Sequence, residues 1–319
     1  MNNPVSARKK RVDVDGVLLL DKPAGLSSND ALIRAKRIFN ARKAGHTGTL
    51  DPFATGLLPL CFGEATKFSQ DLLDADKTYE TVVYLGVQTA TGDTEGETVR
   101  VGEVQDVTKE RIEAVLSRFR GDILQVPPMY SALKRDGKPL YEYARAGLEL
   151  EREARPVTVH ELVLLDCVPP RLTLRVTCSK GTYIRVLGED IGKALGCGAH
   201  LESLRRTRVG TLTLDSAVAL DGLEKTAETG DGRQAGVLEP VDYLLSSFPS
   251  VRLDATQASR FRNGQRLSAV REGIDVSAGP GRHRIYAAEN GVFLGTAQLR
   301  SDGVLAPERL VSLTRLPEH

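Results

Sequence analysis

The sequence GHTGTLDPFATGLLP, residues 45–59, is the most unusual stretch of the chain and governs how the rest is interpreted. It is rich in glycine and threonine, contains two prolines, and shows neither the period of a half-buried strand nor that of a helix. An apolar but aperiodic segment is typical of a buried, shaped loop that presents functional groups from a rigid scaffold. We therefore predict such a loop over residues 44–66.

Two side chains in this stretch could carry chemistry. His46 lies between glycine and Thr47-Gly48, where the absence of bulky side chains lets another molecule approach closely. Asp51 precedes Pro52, which pushes the aspartate backbone toward an extended conformation. In isolation, an Asp-Pro pair is more often a structural turn, and a lone histidine is more often a hydrogen-bonded core residue. The local context alone therefore leaves both interpretations open.

The segments around this stretch have clearer patterns. GVLLLDK is a short apolar run closed by a Pro/Gly turn, which predicts a buried strand. Ser27 and Asp30 have the spacing of a helix-start capping box, followed by apolar residues at helical spacing. We also predict strands in YETVVYLGVQTATGD, LTLRVTCS and LESLRRTRVGTLTL, a helix over residues 108–121, and a strand-to-helix turn in KGTYIRVLGEDIGKALG.

The length of 319 residues predicts two domains. Residues 1–12 read as a disordered basic segment, residues 13–247 as the first domain, and residues 248–319 as a small β-rich domain. Within the first domain, residues 127–155 combine a Pro-Pro break, a basic turn and aromatic residues, and we interpret them as a mobile insertion. The polar, glycine-rich residues 222–236 predict a flexible loop.

Hairpin turns are predicted at two Asn-Gly pairs of the small domain. These are Asn263-Gly264 and Asn290-Gly291, since this dipeptide suits the tightest hairpin turns.

Several classes of protein are disfavoured. The four cysteines form no CxxC pair, so neither a zinc site nor a disulfide framework is predicted. No apolar run approaches the ~18–20 residues that cross a membrane, and the N-terminus has no apolar stretch typical of a signal peptide. The chain also lacks the P-loop, HExxH, GxSxG and GxGxxG signatures. We expect a cytoplasmic protein without a membrane partner, metal or cofactor.

Charge is distributed unevenly along the chain. The net charge is only +1, but residues 1–50 hold ten Lys or Arg against four Asp or Glu, a balance of +6. Residues 71–113 hold four against eleven, a balance of −7. Such a molecule can present one basic face to a polyanion while staying near neutral overall.

Five blocks resemble, in order, the bacterial TruB family, the tRNA pseudouridine-55 synthases. They span roughly residues 15–210 and read GVLLLDKPAGLSSNDAL, RKAGHTGTLDPFATGLLPLCFGEATKFSQ, DKTYE, SKGTYIR and GAHLESLRR, of which HTGTLDPFATG is the most specific. From about Phe248 the chain looks more loosely like the family's PUA domain. The resemblance implies an α+β fold in which a mixed, largely antiparallel sheet is flanked by helices, followed by the PUA-like domain.

The resemblance also implies a reaction. Uridine 55 of the tRNA T loop becomes pseudouridine when its C1′–N1 bond breaks, the base turns, and the base rejoins the sugar through C5. Asp51 matches the essential carboxylate nucleophile, and Arg185 offers a cation that keeps it ionised and aimed. Tyr79 resembles the tyrosine that stacks on the target base and is a candidate proton acceptor.

The remaining site residues follow from the same resemblance. Tyr183 and Leu204 match positions that line the uracil pocket, and His46 matches the residue that fills the space of the flipped base. Lys22 and Pro23 match a motif that supports the active-site loop. From the basic composition of their segments, we also predict that some side chains contact RNA: Lys134, Arg135 and Lys138 in the insertion, Arg205 and Arg206, and, toward the acceptor arm, Arg260, Arg262 and Arg266.

Two alternatives stay open. A dyskerin-type synthase shares these motifs but works inside a guide-RNA complex, and a pure RNA-binding or RNA-folding protein would keep the surface without the reaction. The absence of long Lys-rich tails and the insertion at residues 127–155 favour the stand-alone bacterial type, which acts on the T stem-loop without guide RNA. We also expect a monomer. Folding of tRNA could also be a second function of the protein alongside catalysis. The sequence does not choose between attack of Asp51 at C1′, attack at C6 and elimination.

Overall fold

The computed structural model describes residues 10–229 and 236–312. Residues 1–9 of the predicted basic segment and residues 230–235 of the predicted flexible loop lie outside the described residues. Val12, the last residue of that basic segment, forms a parallel bridge with Ala41.

The strands of the first part of the chain build most of the structure. They are β1 (Gly16–Lys22), β2 (Ala44–His46), β3 (Thr55–Phe62), β4 (Lys77–Leu85), β5 (Val87–Thr89), β6 (Thr98–Val101), β7 (Gly121–Gln125), β8 (Lys134–Arg135), β9 (Lys138–Pro139), β10 (Arg155–Val168), β11 (Arg171–Cys178), β12 (Ala199–Val209), β13 (Leu212–Thr213) and β14 (Val218–Ala219). The helices are α1 (Ser28–Ile38), α2 (Gln70–Leu73), α3 (Lys109–Leu116), α4 (Leu140–Arg145), α5 (Ile184–Ala194) and α6 (Leu220–Thr229).

A ten-stranded sheet organises these elements, with the strand order β14-β1-β3-β12-β4-β11-β10-β7, β2 beside β3 and β13 beside β12. The pairs β1–β14 and β3–β12 are parallel, and the other pairs of this sheet are antiparallel. This mixed, largely antiparallel sheet with flanking helices confirms the predicted fold class. Its main hydrophobic core joins leucines of β1 and β3 to the inner faces of α1, α3 and α5.

The prediction of a loop over residues 44–66 is wrong for most of its length. Residues 44–46 and 55–62 are strands, Gly63–Phe68 form a 3₁₀-helix, and only residues 47–54 form a loop. Because β3 is buried on both faces, its apolar side chains run continuously instead of alternating, which hid the strand signal. Gly56 sits at the parallel contact with β12, where an added Cβ would lie 2.2 Å from the Arg206 carbonyl oxygen.

The helix signals were more reliable. Ser27 caps α1, its hydroxyl accepting a hydrogen bond from the Asp30 backbone N–H, as the capping-box spacing predicted. The predicted loop at residues 222–236 is wrong in its first part, since α6 extends to residue 229 and buries Leu223. The insertion contains the β8–β9 hairpin and α4, while its predicted mobility stays a prediction.

The C-terminal residues form a second sheet with its own hydrophobic core. Its order is β15-β17-β18-β19-β16, built from β15 (Ser250–Leu253), β16 (Leu267–Ser268), β17 (Gly281–Ala287), β18 (Phe293–Leu299) and β19 (Val304–Leu310), with helices α7 (Ala255–Arg262) and α8 (Ala269–Glu272). Asn290-Gly291 joins the antiparallel β17 and β18, confirming that hairpin. The other hairpin prediction is wrong: Asn263 caps the C-terminus of α7, and Gly264 takes the left-handed conformation that often follows a helix.

No helix in the described parts of the chain is long and apolar enough to span a membrane.

Candidate active site

A cavity of about 640 Å³ opens beside the loop that carries Asp51. Its walls come from the start of α1, residues 46–52, the turn at residues 91–95, the base of the insertion and the start of α5. His46, Asp51 and Arg185 all line it. Arg185 is therefore brought to the same cavity as His46 and Asp51, although it lies more than 130 residues further along the chain.

The loop that carries Asp51 is held from below by buried polar groups. The Ser28 hydroxyl donates to the Leu50 carbonyl oxygen at 2.9 Å and accepts from the Leu50 N–H at 2.7 Å. Lys22 is fully buried, and its ammonium donates to the carbonyl oxygens of Pro23, Leu26 and Pro52 at 2.8, 2.7 and 3.3 Å. These bonds tie the loop to the ends of β1 and α1 and limit the freedom of the Asp51 backbone.

Arg185 is the principal partner of Asp51. Its side chain is only 4% exposed, and its Nε lies 2.9 Å from Asp51 Oδ2. The two Nη atoms donate to the carbonyl oxygens of Thr91 at 2.6 Å and Tyr130 at 2.7 Å. Arg185 therefore does not grip the carboxylate as a two-pronged fork. The backbone carbonyls fix the guanidinium, and its Nε–H binds Asp51.

A second carboxylate, Asp93, completes this cluster, and the sequence interpretation missed it. Asp93 is buried, with Oδ2 3.6 Å from Arg185 Nε and Oδ1 accepting from the Glu95 N–H and the Thr91 hydroxyl. In sequence it lies in a polar turn within an acidic stretch, which gave no signal that set it apart. One guanidinium thus faces two carboxylates.

These neighbours set the ionisation of Asp51. Burial raises the pKa of its carboxyl above the ordinary value, Arg185 opposes that rise, and Asp93 adds to it. Burial is also the main cause of the raised pKa of Glu95 on the cavity wall, and the charges of Asp93 and Asp51 add to it. Asp51 depends on Arg185 to stay ionised in a partly dehydrated site.

Tyr79 and Arg206 face each other across β4 and β12. Burial raises the pKa of the Tyr79 phenol, and the charge and side-chain hydrogen bond of Arg206 oppose that rise. Asp51 is close enough to influence the same phenol. Tyr79 is therefore near the Asp51 loop although it packs mainly against the core.

The prediction that Arg206 contacts the RNA backbone is wrong. Its side chain is 1% exposed, and its Nε donates to the Leu57 carbonyl oxygen at 2.8 Å. Because alternate residues of a strand point to opposite faces, Arg205 lies on the other side of β12. There Arg205 pairs with Asp21 through two bonds of 2.7 and 3.0 Å and is partly exposed.

The remaining predicted pocket residues lie at different depths. Gln125 holds the Tyr183 backbone, accepting from its N–H at 2.8 Å and donating to its carbonyl oxygen at 3.1 Å. Burial raises the pKa of the Tyr183 phenol, which also senses the charge of Asp51. Leu204 is 6% exposed and packs in the main core on the face of β12 that carries Arg206.

His46 ends β2 on the cavity wall. Burial lowers the pKa of its imidazole, and the Arg206 charge lowers it further, so the ring is neutral at pH 7. Its Nδ1 is buried and has no hydrogen-bond partner among the described residues. A neutral imidazole ring on a cavity wall suits packing against a nucleobase better than acid–base catalysis.

The predicted RNA-contacting cations of the insertion lie outside this cavity. Lys134 and Arg135 form β8 and are exposed, while Lys138 of β9 lies over the Tyr143 ring. In residues 10–229 and 236–312, no group of three or more His, Cys, Asp or Glu is arranged to hold a metal ion.

Comparisons with known proteins agree over nearly the whole chain. Residues 36–184 match the model of the TruB family pseudouridylate synthase N-terminal domain, residues 185–246 the tRNA pseudouridylate synthase B C-terminal domain, and residues 249–311 the pseudouridine synthase II TruB C-terminal domain. The chain is 63% identical over 306 residues to the tRNA pseudouridine synthase B of Burkholderia mallei, covering 95% of this chain and 96% of that protein. It is 59% identical to that of Ralstonia pickettii, covering 97% and 98%.

Among solved structures, the fold is similar to a chain of a Cbf5-Nop10-Gar1 complex. The TM-score is 0.70 at 26% sequence identity, covering 92% of this chain and 84% of that one.

Proposed function

Because this chain belongs to the TruB family and is a tRNA pseudouridine synthase, an isomerase, we propose that it acts on uridine 55 of the T loop with Asp51 as the essential carboxylate. The observation that carries this proposal is the 2.9 Å pair between Asp51 and the buried Arg185 on a cavity wall.

The reaction requires few chemical groups. The C1′–N1 bond breaks, a C1′–C5 bond forms, the proton on C5 leaves, and N1 gains a proton, so no electrons enter or leave. An ionised carboxylate beside the sugar and base begins each of the three routes that apply: attack at C1′, attack at C6, and elimination. Asp51 can supply it because Arg185 opposes its protonation.

The surrounding side chains have matching roles in this proposal. Tyr79 stacks on the target base and accepts the C5 proton, while Tyr183 and Leu204 form the walls that hold the uracil ring. His46, neutral and on the cavity wall, fills the gap left in the T loop when the base is extruded. Lys22 and Pro23 hold the Asp51 loop.

We further propose that the chain works as a monomer and without guide RNA. Its 63% identity to a tRNA pseudouridine synthase B extends over nearly both full lengths, whereas its identity to a chain of a Cbf5-Nop10-Gar1 complex is 26%. The exposed Lys134 and Arg135 of the insertion then contact T-loop phosphates. Formation of pseudouridine in a minimal T stem-loop by the purified chain tests this independence.

Tritium release gives the direct test of the proposed reaction. A T stem-loop tritiated at uridine C5 loses tritium to water when incubated with the protein alone, and Asp51→Ala stops this release while RNA binding persists. Asp166→Asn, an exposed aspartate on β10 outside the cavity, is the matched control and retains release. Continued turnover by Asp51→Ala would remove Asp51 as the essential group.

The inactive protein also addresses a second role as a tRNA folding chaperone. Extruding uridine 55 requires opening of tertiary contacts in the tRNA, which an Asp51→Asn protein would still perform. Rescue of misfolded tRNA by Asp51→Asn is the expected result, and no rescue would restrict the protein to catalysis.

A further inference from the structure

Arg206 is the largest fully buried side chain among the described residues. Its guanidinium lies beneath the active-site loop, where Nε donates to the Leu57 carbonyl oxygen at 2.8 Å, Nη2 to that of Gly48 at 3.2 Å, and Nη1 to that of Thr49 at 3.5 Å. It also lies against the Tyr79 phenol. One side chain therefore touches the loop just before Asp51, the strand just after it, and the strand that carries Tyr79.

This arrangement is costly if its only purpose is to stabilise the fold. Among the ion pairs of the described residues, none joins Arg206 to a carboxylate within 4.0 Å, so its charge is met by carbonyl dipoles and a phenol. Burying a cation without a carboxylate is unfavourable, and an apolar side chain of similar volume often serves a core as well. The position of the charge thus points to a task in the reaction.

We propose that Arg206 is a positioning residue of the isomerisation, which holds the Asp51 loop and the Tyr79 phenol in a fixed position relative to each other. This inference rests on the proposed reaction. Arg206 does not touch the substrate, because its side chain is almost inaccessible. It acts through the two groups that do.

The first effect of Arg206 is geometric. The carbonyl groups of Gly48 and Thr49 precede Asp51 by three and two residues, so binding them fixes the entry of the chain into the catalytic loop. Lys22 and Ser28 fix the same loop from its other side. A small displacement of a reacting group costs a large factor in rate, which makes such fixing worthwhile.

The second effect is electrostatic and concerns removal of the C5 proton. When that proton leaves, the electrons of the C5–H bond restore the C5–C6 double bond, and the electrons displaced from C6 pass to N1 or, if Asp51 is bound at C6, to its carboxylate. Tyr79 accepts the proton as a phenolate, after its own proton has been lost to water. The titratable groups facing the phenol are Arg206 from β12, Cys178 from β11 and Asp51 from the loop, and the Cys178 thiol is neutral at pH 7 because burial raises its pKa to about 12. Of these, only Arg206 is a cation and favours the ionised phenol.

The test compares Arg206→Lys and Arg206→Gln with Arg171→Gln, an exposed arginine of β11 that pairs with Glu202. Lysine keeps the charge but has three donors on one atom and cannot reproduce the planar fork. We expect both Arg206 variants to lose at least about tenfold in kcat with little change in KM. We also expect a larger deuterium isotope effect at uridine C5 than in the wild type, while Arg171→Gln matches the wild type in both.

Wild-type kcat in a folded Arg206→Gln protein would overturn the proposal. So would a slowed variant with an unchanged C5 isotope effect, because a purely structural role slows every step alike. If neither variant folds, 3,5-difluorotyrosine at position 79 of the otherwise unchanged protein tests the electrostatic role. Its more acidic phenol moves the rate–pH profile to lower pH, and an unmoved profile would contradict the electrostatic role.

Asp51→Asn in the same assay distinguishes failure of the proposed function from failure of the role of Arg206. If Asp51→Asn still forms pseudouridine, the proposed function fails. If Asp51→Asn is inactive and a folded Arg206→Gln protein is as fast as the wild type, only the role of Arg206 fails.

Discussion

At the scale of single residues, the central feature is that Asp51 is aimed by a guanidinium that is itself fixed by backbone. The two Nη atoms of Arg185 donate to the carbonyl oxygens of Thr91 and Tyr130, and only its Nε binds Asp51. The carboxylate of Asp51 is therefore held through Oδ2, and the residue lines the cavity.

This geometry predicts how activity depends on pH. Burial raises the pKa of Asp51 and Arg185 opposes that rise, so the active, ionised form is lost as pH falls through a folded-state pKa above the ordinary value of 3.8. Replacing Arg185 with lysine removes the side-on bond and both carbonyl anchors. We expect Arg185→Lys to lower kcat about 100-fold or more and to move the acid limb of the rate–pH profile to higher pH.

Arg171→Lys, at an exposed ion pair, is the control and keeps the wild-type profile. Single-turnover rates between pH 5 and pH 8 make the comparison. An acid limb that stays in place in Arg185→Lys would mean that this guanidinium does not govern the ionisation of Asp51.

At the scale of elements, the sequence predicted those whose signal is local. The capping box of Ser27 and Asp30 depends on residues three apart, and α1 begins where it indicates. β3 was missed because its burial on both faces is a property of the assembled sheet and leaves no alternation in the sequence.

The residues of the candidate site likewise depend on contacts between distant segments, which leave no local signal in the sequence. Asp51, Tyr79 and Arg185 could be named only through the family resemblance, because their proximity depends on strands that are distant in sequence. Asp93 was missed, and Arg206 was assigned to the surface, since a basic strand does not reveal which of two adjacent arginines points inward. Tertiary packing, which sequence periodicity does not encode, decided both cases.

Gly56 gives a prediction at this scale. Its φ is +102°, and an added Cβ would lie 2.2 Å from the Arg206 carbonyl oxygen and 2.8 Å from its N atom. Gly56→Ala therefore forces β3 away from β12, and we expect a loss of roughly 3 kcal/mol or more in the free energy of unfolding by urea.

Gly222→Ala is the matched control, because Gly222 lies in α6 and an added Cβ there meets nothing within 4 Å. We expect it to be neutral or to stabilise the protein by up to about 1 kcal/mol. Equal stabilities of the two variants would contradict the close approach of β3 to β12.

At the scale of the whole molecule, the two sheets are joined by defined contacts. The Phe68 and Phe293 rings are 5.6 Å apart, and Lys67 donates to the Leu310 carbonyl oxygen at 2.9 Å. Arg282 of β17 forms an ion pair with Asp71 of α2. The C-terminal sheet is thus placed against the first and can extend one RNA-binding surface.

That placement predicts the salt dependence of tRNA binding. Arg262 and Arg266 are exposed, whereas Arg260 is engaged by Glu272 at 2.8 Å. If the two exposed arginines contact acceptor-arm phosphates, each replacement by glutamine lowers the slope of log affinity against log salt concentration by about 0.9.

Arg260→Gln is the comparison and should change the slope less, because its guanidinium already has a carboxylate partner. Filter binding of full-length tRNA across a range of salt concentrations measures all three variants. An unchanged slope in the Arg262→Gln/Arg266→Gln protein would place the RNA elsewhere.

The central claim is that this chain alone isomerises one uridine, at position 55, through the carboxylate of Asp51. Mapping every pseudouridine in an unmodified tRNA transcript after incubation with the purified protein tests it most directly. We expect pseudouridine at position 55 alone with the wild type, and none with an Asp51→Asn protein that binds the same tRNA. Pseudouridine at another position, or at position 55 with Asp51→Asn, would contradict it.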